Sequence, residues 1–472
     1  IDNKRQLLRS AAVHYFRLPG FSLWQDRLTK IKMAGYNTVD IYFNWAYHSP
    51  KEGVYDFTGL KNVKKLLEIA TNLDLFIIAR PGPYINAETS GGGLPGWLLA
   101  KDNVIPRNRI NNDFKYSSEY MKYVKEWYQK ILPFITDCPN AIMLQIENEY
   151  STNEEESDYI EELINIVHSN GCTLPISHND MYASGLYADL VDIYSIDNYS
   201  VTYFEQPWES FPEVFSILDE LEVNIRQFSE KSPLFITELQ GGWFDRWGGI
   251  GYEAMRKHLG RKQLDIVTKT ALSQGVTIFN HYMGSGGTNW DHIASTEVYT
   301  SYDFAAPISE EGLPTERFYQ AKQINLLLQS FDFSQTKIAD NQPVIHSEIE
   351  DATLTYWLRE SLNDGSQWLF LRNDSMGKEI VQVNGDFSVE LDEQDMLILP
   401  INLNLNELTL IHSSVPIMAR IFNDSNQLII MDTRYTGEIL FNIPEDYSYE
   451  ASSSSFKIAI EAEGEELKID FT

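Results

Sequence analysis

Short, continuous apolar runs recur along the first two thirds of the chain, separated by longer stretches with helical spacing of apolar residues. The runs fall at Ala11 to Tyr15, Thr38 to Phe43, Leu75 to Ala79, Ala141 to Ile146, Leu174 to Ser177, Leu190 to Ile196, Leu234 to Thr237 and Val276 to Asn280. A run apolar at nearly every position suits a strand buried on both faces, as in a parallel sheet. Between the runs lie helix-like stretches at Trp24 to Met33, Leu60 to Ala70, Tyr116 to Phe134, Ser157 to His168, Val214 to Phe228 and Tyr252 to Leu272. Strand alternating with helix predicts an α/β fold, and eight strands is the count of a (β/α)8 TIM barrel. After a last helical stretch, Thr315 to Gln329, the pattern changes to short runs such as Trp368-Leu369-Phe370-Leu371, Met396-Leu397-Ile398-Leu399, Leu408-Thr409-Leu410-Ile411 and Leu428-Ile429-Ile430, set apart by Asn, Asp, Gly and Pro. This predicts a barrel over residues 1–330 followed by an antiparallel β domain over 331–472.

Two of the runs end on carboxylates. Ala141-Ile142-Met143-Leu144 leads into QIENEY, with Glu147, Asn148 and Glu149 at the strand's end, and Pro233 to Thr237 leads into Glu238. In a barrel of parallel strands the active site is assembled at the carboxyl ends, so segments about ninety positions apart can meet there. Cleaving a glycosidic bond needs such a pair: a protonated acid behind the leaving oxygen and a carboxylate facing the anomeric carbon. The first must be kept protonated by desolvation or a negative neighbour, and the second kept ionised by donors or cations. In a chain with 68 acidic residues a lone glutamate is ordinarily a solvated surface group, so the assignment needs context.

That context is a set of motifs: HYFR (14 to 17), RPGPYINAE (80 to 88), GGGLPGWL (91 to 98), QIENEY, TELQGGWFDRWGG (237 to 249), NHYMGSGGTNW (280 to 290) and TSYDFAAPISE (300 to 310). In order and spacing they resemble glycoside hydrolase family 35, the retaining β-galactosidases, and are most similar to its large fungal and microbial members. The resemblance spans the first 330 or so residues. It implies a retaining exo-β-galactosidase that releases terminal non-reducing β-D-galactosyl residues through a covalent galactosyl-enzyme, with Glu149 as acid/base and Glu238 as nucleophile. It also implies sugar contacts from Asn148, Tyr42, the loop residues Asn86, Ala87 and Glu88, and the tyrosines Tyr282 and Tyr302. The expected partner is a galactose-terminated oligosaccharide or glycan, with no cofactor and no metal. The alternatives are a retaining β-glucosaminidase or β-glucosidase on the same barrel, or a carbohydrate-binding protein without turnover. Each tyrosine also has a plain reading as a core ring with a satisfied hydroxyl.

Some positions depart from the family's pattern. Ser10-Ala11-Ala12 stands where Ser-Gly is usual, a change expected to concern packing, and Gln240 follows the nucleophile as in the fungal-like members. Gly284 and Ser285 replace bulkier residues, and Asp291-His292 replace Gly-Asn, changes expected to reshape the rim of the site. Glu147 rivals Glu149, since strict alternation would put both on one strand face; the expected structural role for Glu147 is a pair with Arg80. His14 and His281 are expected to be structural.

A more limited resemblance to the second domain of the large members runs through YWLRESLNDGSQWLFLRND (356 to 374), DEQDMLILPINL (392 to 403) and GEILFNIP. Further jelly-roll domains usually follow in those enzymes, so this chain is either a naturally short member or a partial one. Its first residue is Ile1, which leaves room for an upstream methionine, tag or signal peptide; compartment is left open. The formal charge of −31 argues against nucleic acid or an anionic membrane surface as partner, and no apolar stretch is long enough to suggest a membrane span. The acidic residues Glu154, Glu155, Glu156, Asp158, Glu161 and Glu162 read as a solvated helix start rather than a metal site. Cys138 and Cys172 precede strands on neighbouring barrel units and are expected to be free thiols. The triplets NYS at 198, NDS at 373 and NDS at 423 fit the glycosylation pattern without deciding anything.

Overall fold

The computed structural model describes the chain except residues 2–3, 108–116, 151–156, 182, 203–204, 211–217, 348–352, 407, 424–425, 433, 443–455, 462–465 and 472. Its first part is a parallel sheet of eight strands: β1 Leu8–Val13, β2 Thr38–Tyr42, β3 Phe76–Gly82, β4 Ala141–Ile146, β5 Ile176–Ser177, β6 Ser195–Asn198, β7 Phe235–Gln240 and β8 Ile278–Ser285. The order β5-β4-β3-β2-β1-β8-β7-β6 leaves only the β5–β6 seam, which is closed by the parallel bridges Ser177–Ile193 and Asp180–Ile196. The sheet is therefore a barrel. Every residue of β1, β2, β7 and β8 is buried, as strands covered on both faces require.

The strand β6, on one side of the seam, departs from its expected bounds at both ends. The run Leu190 to Ile196 is a turn for its first half, where the Asp192 side chain accepts the Ile176 N–H at 2.8 Å, and the strand proper starts only at Ser195. Helices cover the outside at Phe21–Met33, Val63–Asn72, Ser118–Thr136, Ser157–Ser169, Leu221–Arg226, Tyr252–Ser273 and Glu316–Ser330. Part of the expected helix from Val214 to Phe228, and Glu154 to Glu156 of the acidic run, lie outside the described residues. Within the longest helix Gly260 leaves helical geometry (φ 57°, ψ −175°), and its carbonyl is taken by Arg317 at 2.6 Å.

The barrel interior is built in two tiers. Leu8, Ile78, Met143, Phe235 and Ile278 form an apolar plug at the amino end. Above it the inward side chains turn polar: Asn280 donates to Asp40 at 2.7 Å, Thr237 to Gln145 at 2.6 Å, and Arg80 to Asp40 at 2.7 Å. Polar groups this deep must be hydrogen-bonded, and their network fixes the side chains at the carboxyl-end mouth.

The antiparallel part follows the last barrel helix. Its main sheet runs Thr336–Ile338, Leu354–Ser361, Gln367–Asn373, Asp395–Asn404, Thr409–Ser413, Gly437–Asn442, Glu466–Phe471, Phe456–Glu461 in spatial order. Side chains alternate faces along a strand, and here both faces are covered. Trp368, Phe370, Met396 and Ile398 join the core of the barrel and its helices, while Leu369, Leu371, Leu397 and Leu399 pack with Val381, Val383, Val389 and Leu391 of a smaller three-stranded sheet. Polar contacts reinforce the seam: Arg372 pairs with Asp219 at 2.8 and 2.9 Å, and Lys269 donates to the Met396 carbonyl at 2.6 Å.

Cys138 and Cys172 are buried free thiols. Asn198 and Asn373 of the glycosylation triplets are buried, the latter donating to the Gly377 and Asp392 carbonyls at 2.8 and 2.9 Å, so two of the three triplets serve the fold. Among the described residues no helix is long and apolar enough to cross a membrane.

Candidate active site

Glu238 stands within β7 at the barrel mouth and is held by four donors. Its Oε1 accepts from Arg80 Nη1 at 2.8 Å, Tyr42 Oη at 2.9 Å and Asn179 Nδ2 at 3.1 Å, and its Oε2 from Tyr199 Oη at 2.6 Å. Arg80 is itself fixed by Asp40, by Thr237 through its carbonyl and hydroxyl at 2.6 and 2.7 Å, and by the Tyr42 ring, 4.4 Å from its guanidinium carbon. A carboxylate that accepts this many donors, one of them cationic, is fixed in one orientation.

Glu149 has the opposite surroundings. It follows β4 at positive φ (48°); among the described residues it accepts from Asn86 at 3.1 Å on Oε2 and shares a carboxyl–carboxyl hydrogen bond with Asp197. Burial, and then the charge of Glu238, push its carboxyl up to about 7 against the opposing effects of Asp197, Asn86 and Arg107. Asp197, at the end of β6, is raised well above its usual value by burial and by both glutamates. One oxygen each of Glu149, Asp197 and Glu238 lie within 4.8 Å of one another. Among the described residues this trio is the one acidic group close enough to hold a metal ion. Both oxygens of Glu238 already accept donors, so an ion there would compete with the Arg80 guanidinium.

Glu147 does not share a face with Glu149. Both residues have positive φ (57° and 48°), so strand alternation ends at Ile146 and the same-face argument lapses. Nor does Glu147 pair with Arg80. It accepts from Arg107 at 3.0 Å, Tyr159 at 2.7 Å and its neighbour's Asn148 N–H at 3.0 Å, while Arg107 also takes the Asn148 carbonyl at 2.7 Å. Arg80 points into the barrel from β3, where Asp40 and Glu238 reach it. Glu147 thus braces the Glu147–Glu149 turn from outside the barrel axis.

The loop after β3 carries three successive non-glycine residues at positive φ: Asn86 (50°), Ala87 (55°) and Glu88 (43°). Such residues cost of order ~1–3 kcal/mol each and persist only where the surroundings hold them. Here each carbonyl is held: that of Asn86 by the Thr89 hydroxyl at 2.8 Å, that of Ala87 by Arg17 at 2.8 Å, and that of Glu88 by the Ser295 N–H at 2.9 Å. The Glu88 carboxyl, raised to about 7 mainly by burial, accepts from Tyr302 Oη, which lies 3.0 Å from Tyr282 Oη.

These groups surround a cavity of about 520 Å³. Asn86, Ala87, Glu88, Asn148, Glu149, Glu238 and Tyr282 line it, joined by Asp197, Asn198, Tyr199 and Trp243. Tyr42 and Tyr302 are not in the lining; they stand behind it, donating to Glu238 and Glu88.

The family model of Glycosyl hydrolases family 35 matches residues 1–328. The chain belongs to this family. Among its relatives, the probable beta-galactosidase C of Aspergillus flavus is 29% identical over 98% of this chain and 49% of its own length. The protein of the same name from Sclerotinia sclerotiorum is 33% identical over 72% of this chain and 36% of its own length. The chain spans about half the length of the curated relatives it matches or less. The fold is similar to that of a solved family 42 beta-galactosidase from G. stearothermophilus, with a TM-score of 0.57 at 9% identity over 84% of this chain and 98% of that one.

Within this family 35 chain, two features expected to alter the rim do not reach it. Gly284 is buried in β8, and a Cβ there would come within 2.5 Å of the Ala11 Cβ; the methyl of Ala11 occupies the space that Gly284 leaves. Asp291 and His292 form an exposed pair at 3.1 Å outside the cavity lining. His281 is satisfied on both nitrogens, by Tyr36 at 2.7 Å and Thr268 at 3.0 Å, and His14 packs among Phe16, Tyr42, Tyr282 and Tyr302.

Sequence reasoning missed Asp197, Tyr199, Asn179 and the Asp40–Arg80 pair. For the last a signal existed, since a charged residue inside each of two apolar strand runs, TVDIY and FIIAR, is costly unless the two meet. For Asp197 the signal was its place at the end of a strand next to Glu238's own strand.

Proposed function

We propose that the chain is a retaining exo-β-galactosidase that hydrolyses terminal non-reducing β-D-galactosyl residues, with Glu238 as nucleophile and Glu149 as acid/base. The observation that carries this reading is the pair of carboxylates in one cavity, with oxygens within 4.8 Å and opposite surroundings: one braced by four donors, the other buried and pushed up to about 7. Retaining enzymes hold the pair ~5–5.5 Å apart, whereas inverting ones leave ~6.5–9.5 Å for a water.

In the first step Glu238 Oε attacks the anomeric carbon as its bond to the glycosidic oxygen breaks, and Glu149 gives its proton to that departing oxygen. The charge of Glu238 is consumed in the new ester bond, which lowers the proton affinity of Glu149. Glu149 then takes a proton from water, whose oxygen attacks the same carbon and releases Glu238 as carboxylate and galactose with retained configuration. Ala87, Glu88 and Tyr282 form part of the cavity wall, with Arg17 and Tyr302 behind them, and in this proposal that part receives the one terminal sugar that is removed. Asn148, Asn86 and Glu88 offer donors and acceptors for ring hydroxyls. In the same proposal residues 1–330 form the catalytic barrel and 331–472 a β domain that supports it; the packing of Trp368 and Phe370 into the barrel's core favours this division of labour.

Hydrolysis of a panel of nitrophenyl β-glycosides tests the reading. Preferred turnover of the galactoside is expected. Preference for the glucoside or glucosaminide would overturn the glycone, and no turnover of any would point to a binding protein.

A further inference from the structure

Asp197 differs from the other polar groups of the cavity in what surrounds it. It stands on β6, where the register with β7 slips between Ile196 and Asp197, and the slip makes Asp197 the strand partner of Glu238. Its carboxyl is hydrogen-bonded to that of Glu149, and one oxygen of each of the three residues lies within 4.8 Å of the others. Ionised carboxyls only accept, so two carboxyls hydrogen-bond to each other only when one of them carries a proton. The pair therefore holds at least one proton, and the surroundings decide which residue keeps it.

Glu149 is the better place for a negative charge. It accepts from Asn86 Nδ2 at 3.1 Å and has Arg107 as a nearby cation, although Glu238, Glu88 and Tyr84 face it as well. The charges that act on Asp197 are those of Glu149, Glu238 and Asp180, all of one sign. Asp180 is brought close by its bridge to Ile196, and it accepts from Tyr194 Oη at 2.7 Å and from the N–H groups of Ser184 and Gly185 at 2.9 Å. Those donors serve Asp180 rather than Asp197. A proton shared by two carboxyls stays on the one whose surroundings favour its charge least. Burial first, and then Glu149 and Glu238, raise Asp197 well above the usual carboxylate range. Burial and Glu238 push Glu149 up to about 7, and the Asp197 hydrogen bond acts on it in the opposite direction, as a donor does.

Resting on the galactosidase reading above, we propose that Asp197 is a positioning residue for the acid/base: it keeps a proton of its own through the whole cycle and donates it in a hydrogen bond to Glu149. In the first step Glu149 gives its proton to the departing oxygen and becomes a carboxylate, while the O–H of Asp197 stays intact and donates to that carboxylate. In the second step Glu149 takes a proton from water, and Asp197 again neither gains nor loses one. The donor fixes the orientation of Glu149 and stabilises its base form.

Asn and Leu have the branched shape of Asp; Asn keeps an N–H donor and Leu has none. The experiment reads kcat and the alkaline limb of kcat/KM for phenyl β-galactoside, whose departing oxygen needs the acid's proton, in wild type, Asp197→Asn and Asp197→Leu. Loss of the donor raises the proton affinity of Glu149, so in Asp197→Leu the limb should move up by about one pH unit and kcat should fall about tenfold, the scale of a hydrogen bond to a charged group. Asp197→Asn should return the limb to within about 0.3 unit of wild type and recover part of kcat. Were Asp197 a carboxylate, both substitutions would remove a charge and move the limb down; that result, or a limb and kcat unmoved in Asp197→Leu, overturns the proposal. A carbon NMR titration of aspartate carboxyls in wild type needs no Leu variant, and Asp197→Asn identifies the signal. The Asp197 carboxyl should stay protonated through about pH 8, beyond the Glu149 midpoint, and an ionised Asp197 there overturns the proposal. Absence of β-galactoside cleavage by wild type removes the galactosidase reading, while the titration still decides where the proton lies.

Discussion

Replacing Glu238 by Gln removes one charge from beside Glu149 and keeps the side-chain shape, so it isolates the electrostatic coupling on which the proposed mechanism depends. The nearest oxygens of the trio lie within 4.8 Å. Two unit charges at that distance interact by about 3.5 kcal/mol at an effective dielectric of ~20, equivalent to about 2.5 pKa units. Arg80, 2.8 Å from Glu238, cancels part of this field, so the expected fall in the Glu149 pKa is about 1–2 units. Burial, the larger cause of its elevation to about 7, remains in the variant. The assay is a carbon NMR titration of glutamate side-chain carboxyls in wild type and Glu238→Gln, with Glu149→Gln used to identify the signal. Because Asp197 touches Glu149, the midpoint read is that of the pair. The sign matters for catalysis: the acid form is needed for the first step, so the alkaline limb of kcat/KM in wild type should fall near pH 7, and loss of the Glu238 charge in the glycosyl-enzyme turns Glu149 into a base. A midpoint in Glu238→Gln within about 0.3 unit of wild type would refute the coupling and leave burial as the whole cause.

Three further outcomes are expected. Tyr42→Phe removes one donor from the Glu238 carboxylate and should lower kcat/KM by about 10–100-fold with unchanged melting temperature, the worth of a hydrogen bond to a charged group; unaltered kinetics would deny Tyr42 that role. Arg107→Ala leaves the Glu147 carboxylate buried without its cation and should destabilise by about 3–5 kcal/mol, read by thermal unfolding. Adding Glu147→Gln should restore part of the loss, and a double variant no more stable than the single would contradict the pairing. Phe370→Ala opens a cavity between sheet and barrel and should cost about 3–5 kcal/mol; a single shifted unfolding transition is expected, and loss of the β part alone with the barrel's transition unmoved would show that the two do not share a core.

The apolar runs gave away the barrel because parallel strands are buried on both faces, and the carboxyl-end rule then pointed at Glu149 and Glu238. In the β part, Trp368 to Leu371 and Met396 to Leu399 read as continuous apolar runs for a different reason: an antiparallel sheet with the barrel on one face and a second sheet on the other. What lay hidden depends on backbone geometry. Nothing in Glu147-Asn148-Glu149 or Asn86-Ala87-Glu88 announces five non-glycine residues at positive φ, and that geometry decides which carboxylate enters the cavity and which braces it. Asp197 and Tyr199 escaped because β6 is short and begins late, so the expected strand stopped at Ile196, one residue before the carboxylate. The Glu147–Arg80 pairing failed because Arg80 had two carboxylates waiting inside the barrel, Asp40 and Glu238.

The most direct test of the roles of Glu149 and Glu238 is azide rescue of Glu149→Ala and Glu238→Ala on nitrophenyl β-galactoside, with the anomeric configuration of the galactosyl azide read by NMR. The account requires β-galactosyl azide from the Glu149 variant, formed from the intact glycosyl-enzyme, and α-galactosyl azide from the Glu238 variant, formed by direct attack in the nucleophile's place. Interchanged anomers would reverse the assignments, and full activity in either variant without azide would contradict the account.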